Sequence, residues 1–218
     1  MMKKHLKIIG IISGSFLSLL ILLYIAFAIF IKSYEKKITA ENLINETNVE
    51  LSDEQLQIFS YISGNQKESR FHKNPLFVDL FSPKDAIALL VAKNAIHVCA
   101  DYTSMDYNFS HFATKRYVSR HLDYKLCCNY LCSIQYYGMG IYGLKSAAQF
   151  YFDKDYENLS AEEFVYLCYL PNNPVFYIKH NGILKEKAEN SFIQIFNKPG
   201  NFSDCNDVFY SKIHLTSD

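Results

Sequence analysis

From Ile8 to Ile31 the chain runs for 24 residues without a charged side chain, and Phe16, Leu17, Leu19, Leu20, Ile21, Leu22 and Leu23 lie within that run. A helix rises about 1.5 Å per residue, so a helix of this length crosses the roughly 30 Å hydrocarbon core of a bilayer. This predicts a single membrane-spanning helix over residues 8–31 behind a short tail of residues 1–7. A cleaved signal peptide is the rival, because Ala26-Phe27-Ala28 imitates a cleavage site. Apolar residues continue past it to Ile31, which favours an uncleaved anchor. Lys3, Lys4 and Lys7 are matched by Lys32, Lys36 and Lys37, but a seven-residue tail with three lysines ordinarily stays in the cytoplasm. The expected topology is single-pass, with residues 38–218 outside the cytoplasm.

Formal charge is zero over 218 residues, but it is unevenly spread. Residues 1–37 hold six Lys and one Glu, which leaves 16 basic and 21 acidic residues, a net charge of −5, for residues 38–218. A surface that neutralises many phosphates needs the opposite sign, so nucleic acid is not an expected partner. Half of all residues are hydrophobic and 16% are aromatic, which excludes disorder for most of the chain.

Beyond the span, residues 32–50 are polar and predict a juxtamembrane linker or short helix. Residues 51–62 carry apolar positions at helical spacing after Ser52, a candidate N-cap. Ser82-Pro83-Lys84-Asp85 has the form of a helix start, and Ala86 to Cys99 is apolar nearly all round, as a buried helix would be. Residues 101–114 look irregular. A helical pattern resumes from Arg116 to about Gln135 and ends at the glycines near 138. Leu144, Ala147, Ala148 and Tyr151 then form an i, i+3, i+4, i+7 stripe. Ser160-Ala161-Glu162-Glu163 is a capping box that opens a helix stopped by Pro171 and Pro174. No β-alternating run exceeds a few residues, so the expected fold class is all-α, with one core over residues 51–180 and a loosely attached tail over 181–218. Cys127, Cys128 and Cys132 cluster, and with His121 they loosely suggest metal ligands. No second pair completes a site, so no metal ligands are assigned and the thiols are expected to be buried apolar filler.

The ordered series Gly138, Gly140, Tyr142, Gly143, Ala147, Ala148, Tyr151, Phe152 and Lys154, followed by Leu159, Ser160, Glu163, Leu170, Pro171, Asn172 and Pro174, resembles the peptidoglycan glycosyltransferase domain, glycosyltransferase family 51. That module occurs in monofunctional transglycosylases and class A penicillin-binding proteins. Asp153 stands where the family has Gly. The resemblance covers about 45 residues, from Tyr130 to Pro174, and implies a lysozyme-like helical domain without a following transpeptidase region. It also implies a lipid-linked disaccharide-peptide substrate in the bacterial cytoplasmic membrane, contacts with other cell-wall synthesis proteins, and Mg²⁺ or another divalent cation.

The family's catalytic motifs are matched less well. Glu68-Ser69-Arg70-Phe71-His72 is the best counterpart of the motif that supplies the general base, which makes Glu68 the candidate catalytic residue. The family's Gly-Gly-Ser-Thr-Ile-Thr-Gln-Gln motif has no counterpart in residues 100–115. Ser119-Arg120-His121-Leu122-Asp123 resembles the motif near the donor pyrophosphate, with Asp123 one residue short of the family's Glu. Arg120 and Lys125 are the candidate pyrophosphate contacts, and Gly138, Gly140 and Tyr142 are further substrate-binding candidates. The alternative expectation is a catalytically silent relative that binds glycan or cell-wall synthesis partners. A glycan-cleaving hydrolase is weaker still, because no second carboxylate accompanies Glu68.

Overall fold

A computed structural model describes residues 2–35, 41–64, 70–71, 85–99 and 107–215. The described residues are predominantly helical. Helix α1 runs from Met2 to Glu35. Within it, Ser15–Ser33 has a mean hydropathy of 2.3 and is only 6% buried in the protein. A helix that leaves Phe16, Leu17, Leu22 and Leu23 bare matches lipid rather than a protein interior, as expected of a membrane anchor. Helix α2 (Glu41–Glu46) falls within the expected linker.

The core is built around two helices. In α6 (Tyr124–Ile134), Cys127, Cys128, Tyr130, Leu131 and Cys132 are buried. In α8 (Ala161–Tyr169), Phe164 to Leu167 are all buried. Around these pack α3 (Asp53–Gly64), α4 (Ala86–Cys99), α7 (Leu144–Phe152) and α10 (Asn181–Phe196). Helix α3 begins at the expected cap: the Gln55 N–H donates to Ser52 Oγ and the Ser52 N–H to Gln55 Oε1. The capping box at Ser160 forms as the sequence predicts, and all four residues of the Leu144–Tyr151 stripe are buried. Ser82 to Lys84 lie outside the described residues.

Three expectations are corrected. The segment expected to be irregular enters helix α5 (Tyr107–His121) at Tyr107, and the single helix expected from 116 to 135 is two. Asp123 separates them: its backbone is extended and its carboxylate accepts the Leu126 N–H at 3.0 Å as the N-cap of α6. Helix α5 lies between α1 and α4, which blurs its apolar periodicity. Pro174 opens a helix rather than only closing one. It is the first residue of α9 (Pro174–Lys179), and Asn173 caps it by accepting the Phe176 N–H.

The third correction concerns the expected loose tail. Helices α10 and α11 (Ser203–Leu215) are parts of the core. Leu184, Ala188 and Phe192 recur at four-residue spacing and face inward, and Phe209 is fully buried. The Phe209 ring stacks on Tyr151 at 4.6 Å, and the Tyr166 hydroxyl donates to Asn206 Oδ1 at 3.1 Å.

Cys127, Cys128, Cys132, Cys168 and Cys205 are free and buried. Burial pushes every one of these thiols up, so they stay protonated and act as small apolar side chains.

Candidate functional site

Helix α6 ends at Gln135, and the chain turns back through a two-stranded antiparallel hairpin. Strand β1 (Tyr136–Gly138) pairs with β2 (Ile141–Tyr142), and Tyr136 lies opposite Tyr142. Met139 and Gly140 form the two-residue turn with φ of +53° and +77°, the positive pair that matches the twist of a tight hairpin. The chain then enters α7 at Gly143, with φ +79° and ψ 145°. A Cβ on Gly143 would stand 2.7 Å from the backbone oxygen of Ser133, whereas one on Gly138 would meet the flexible tip of Ile178 and one on Gly140 would enter open space. Two of the three candidate positions here, Gly138 and Gly140, thus shape the backbone. Tyr142 is the third, and it is 64% exposed. Its ring lies 4.9 Å from that of Tyr136 at 41°, beside the exposed Met139. The paired rings form an open aromatic face of the kind that stacks on a sugar or an acyl chain.

Lys125 lies elsewhere. It stands in the first turn of α6, whose eleven residues put it about 15 Å from the hairpin at the far end. Its Nζ is 3.8 Å from Glu50 Oε1, across a polar hollow of about 360 Å³ that Tyr156 and Glu157 also line. Tyr156 joins this hollow to a neighbouring one of about 310 Å³ beside Lys145 and Asp155. The Tyr156 hydroxyl accepts the Glu50 N–H, while Asn129 Oδ1 accepts the Leu51 N–H and Ser133 Oγ accepts the Asn48 N–H. These bonds pin the segment 48–51 against α6 and the turn at Tyr156. The meeting of Glu50, Lys125 and Tyr156 has no sequence signature, because its members come from three distant segments.

Arg120 is half-buried in the last turn of α5 and shares a helix face with Arg116. Asp123, the nearest substitute for the family's acid, is engaged as a helix cap. Glu68 lies outside the described residues, as do Ser69 and His72 of its motif. The structure therefore brings Gly138, Gly140 and Tyr142 together on one hairpin and sets Lys125 apart from them.

Other motif residues are explained by packing. Lys154 Nζ donates to both carboxylate oxygens of Glu163, at 2.8 and 3.0 Å, while Glu163 Oε2 also accepts the Ser160 N–H. The Tyr151 hydroxyl donates to the Tyr137 carbonyl at 2.9 Å. Asp153, the departure from the family pattern, sits in the left-handed conformation at the C-cap of α7, where Gly is favoured and Asp is tolerated. It pairs with Lys212. As for a divalent cation, no three His, Cys, Asp or Glu side chains converge among the described residues.

Residues 123–198 match the family model described as Transglycosylase. A 95-residue stretch, 40% of the chain, is 38% identical to Penicillin-binding protein 4 of Bacillus subtilis (strain 168). The chain spans about 15% of the length of that relative. The Gly138–Pro174 motifs thus lie inside a stretch that is similar to the Transglycosylase family. The family match extends through α10, consistent with the packing of that helix into the core.

Proposed function

We propose that the protein is a peptidoglycan glycosyltransferase-like membrane protein acting on lipid-linked disaccharide-peptide. The observation that carries this reading is the stretch similar to transglycosylases, 123–198, packed into one helical core behind an apolar helix. A polyprenyl-linked donor stays in the bilayer, so an enzyme tethered there meets it in two dimensions. With Lys3, Lys4 and Lys7 retained in the cytoplasm, the domain stands outside the bacterial cytoplasmic membrane. In the reaction, the acceptor sugar's 4-hydroxyl attacks the donor's anomeric carbon as the bond to the pyrophosphate breaks, with inversion. The hydroxyl proton passes to a carboxylate, the role assigned to Glu68, and cationic side chains receive the pyrophosphate. The exposed Tyr136–Tyr142 face is the surface on which a sugar would stack.

One observation favours the second reading, a catalytically silent binding protein of cell-wall synthesis. Lys125 is paired with Glu50 at the end of α6 opposite the hairpin, and Asp123 is committed as a cap. A single assay separates the two. Glycan formation from lipid-linked precursor is expected to fall by about 10²–10⁴-fold in Glu68→Gln, the usual worth of a positioned general base. Equal activity in the two proteins would remove Glu68 from the mechanism. Precursor binding without polymer in wild type would establish the silent reading.

A further inference from the structure

The hollow beside Lys145 and the hollow beside Lys125 meet at Tyr156 and Glu157, which line both. Lys145 stands three residues beyond Tyr142, so the first hollow begins next to the aromatic face of the hairpin. The second ends at Lys125 and Glu50, about 15 Å from the hairpin along α6. Together they make an open polar trough that leads away from the hairpin. Its floor is set before any ligand arrives. Tyr156 is only 7% exposed, its hydroxyl accepts the Glu50 N–H at 3.3 Å, and its carbonyl accepts a bond from Gln55 Nε2 at 2.9 Å. The Lys145 ammonium lies 5.7 Å from the centre of the Tyr156 ring, which holds it over that floor.

Charges of both signs follow one another along the trough. Lys145 stands at the hairpin end, Asp155 and Glu157 in the middle, and Lys125 beside Glu50 at the far end. A polyanion laid along it would meet the carboxylates of Asp155, Glu157 and Glu50, and a polycation would meet the two amines, so neither matches the whole length. A chain that carries carboxylates and an ammonium in turn does match it. An extended peptide advances about 3.3 Å per residue, so about five residues cover the 15 Å from the hairpin to Lys125.

We propose that this trough binds an extended zwitterionic peptide of about five residues, with carboxylates at Lys145 and Lys125 and an ammonium between them at Asp155 and Glu157. With a sugar stacked on the Tyr136–Tyr142 face, that peptide is the one carried by the lipid-linked disaccharide-peptide. This identification rests on the glycosyltransferase-like reading, whereas the peptide site itself does not. Contacts to a part of the substrate that does not react would then orient the sugar that does. The charged side chains are exposed, so their contribution is screened by salt.

The test titrates soluble probes into the full chain in nonionic detergent and follows them by ligand-observed NMR. The probes are the disaccharide-pentapeptide freed of its lipid, the same disaccharide without peptide, and the N-acetylated pentapeptide alone, which carries two carboxylates and one ammonium. Wild type is expected to bind the peptide-bearing disaccharide about tenfold tighter than the bare one, a gain that shrinks in 0.5 M salt. Lys145→Glu and Glu157→Lys each turn an attraction into a repulsion and should each lose about fivefold of that gain, with affinity for the bare disaccharide unchanged. Lys198→Glu, outside the trough, should change nothing. Equal wild-type affinity for the two disaccharides would overturn the peptide site and leave the sugar reading of the hairpin standing. Variants that keep the full gain, or that lose both disaccharides alike, would also overturn it. Binding of the pentapeptide alone that Lys145→Glu abolishes, with both disaccharides ignored, would uphold the peptide site and break its link to the sugar. No binding of any probe would overturn both.

Discussion

Gly143→Ala is expected to destabilise the domain by about 3 kcal/mol or more, lowering its melting temperature by roughly 6–12 °C. Two costs combine. At φ +79° and ψ 145° the backbone occupies a region that only glycine visits cheaply, and a side chain there costs about 1–3 kcal/mol. The added Cβ would also stand 2.7 Å from the Ser133 backbone oxygen, which has little room to yield because it lies on the buried last turn of α6. The Gly143 N–H donates to the Gln135 carbonyl at 2.9 Å, so any shift that relieves the clash also strains the hydrogen bond closing the hairpin. Gly140→Ala is the control. It shares the positive φ but faces open space, and about 1–2 kcal/mol is expected. Thermal melts of the two variants in the same detergent decide the matter. Equal losses would show that the close approach at Gly143 contributes nothing.

Phe209→Ala should cost about 3–5 kcal/mol, the usual loss when a fully buried ring is deleted. Phe209 is fully buried among Tyr151, Phe152 and Tyr166, so its removal leaves a void lined by rigid rings that cannot collapse into it. A chain ended after His180 loses α10 and α11 together, which uncovers Tyr151, Phe164 and Tyr166, and it should not fold to a protease-resistant domain. Denaturant melts of Phe209→Ala and limited proteolysis of the truncation measure this. A loss below about 0.5 kcal/mol in Phe209→Ala would mean that the C-terminal helices are appended to the core rather than part of it.

That region also shows where the sequence stopped being legible. The helices with sharp local punctuation, at Ser52 and Ser160, begin where their caps predict, because a cap is a chemical event within three or four residues. Residues 181–215 have no comparable start, and their low average apolar content hid a one-sided stripe at Leu184, Ala188 and Phe192 that only the facing rings of the core make meaningful. The first part of helix α5, from Tyr107 to Lys115, was missed for a related reason. Its Phe112 and Ala113 face α1 while other residues face α4, so no single apolar face stands out. Asp123 stood one residue from the acid of the motif near the donor pyrophosphate and is a helix cap, two roles that share one residue type. The scaffold motifs from Gly138 to Pro174 were readable because turn geometry, close helix contact and the Lys154–Glu163 pair each constrain residue identity. The hollow lined by Glu50, Lys125 and Tyr156 was not, since nothing local links positions 50, 125 and 156.

The most direct measurement is equilibrium capture of lipid-linked disaccharide-peptide by the wild-type full chain in nanodiscs, with polymer length read from the same samples. The account predicts saturable retention of the precursor over a polyprenyl phosphate that lacks the sugar. Glycan polymer should accompany retention if Glu68 is the working base. Retention no greater than that of empty nanodiscs, together with no polymer, would contradict it.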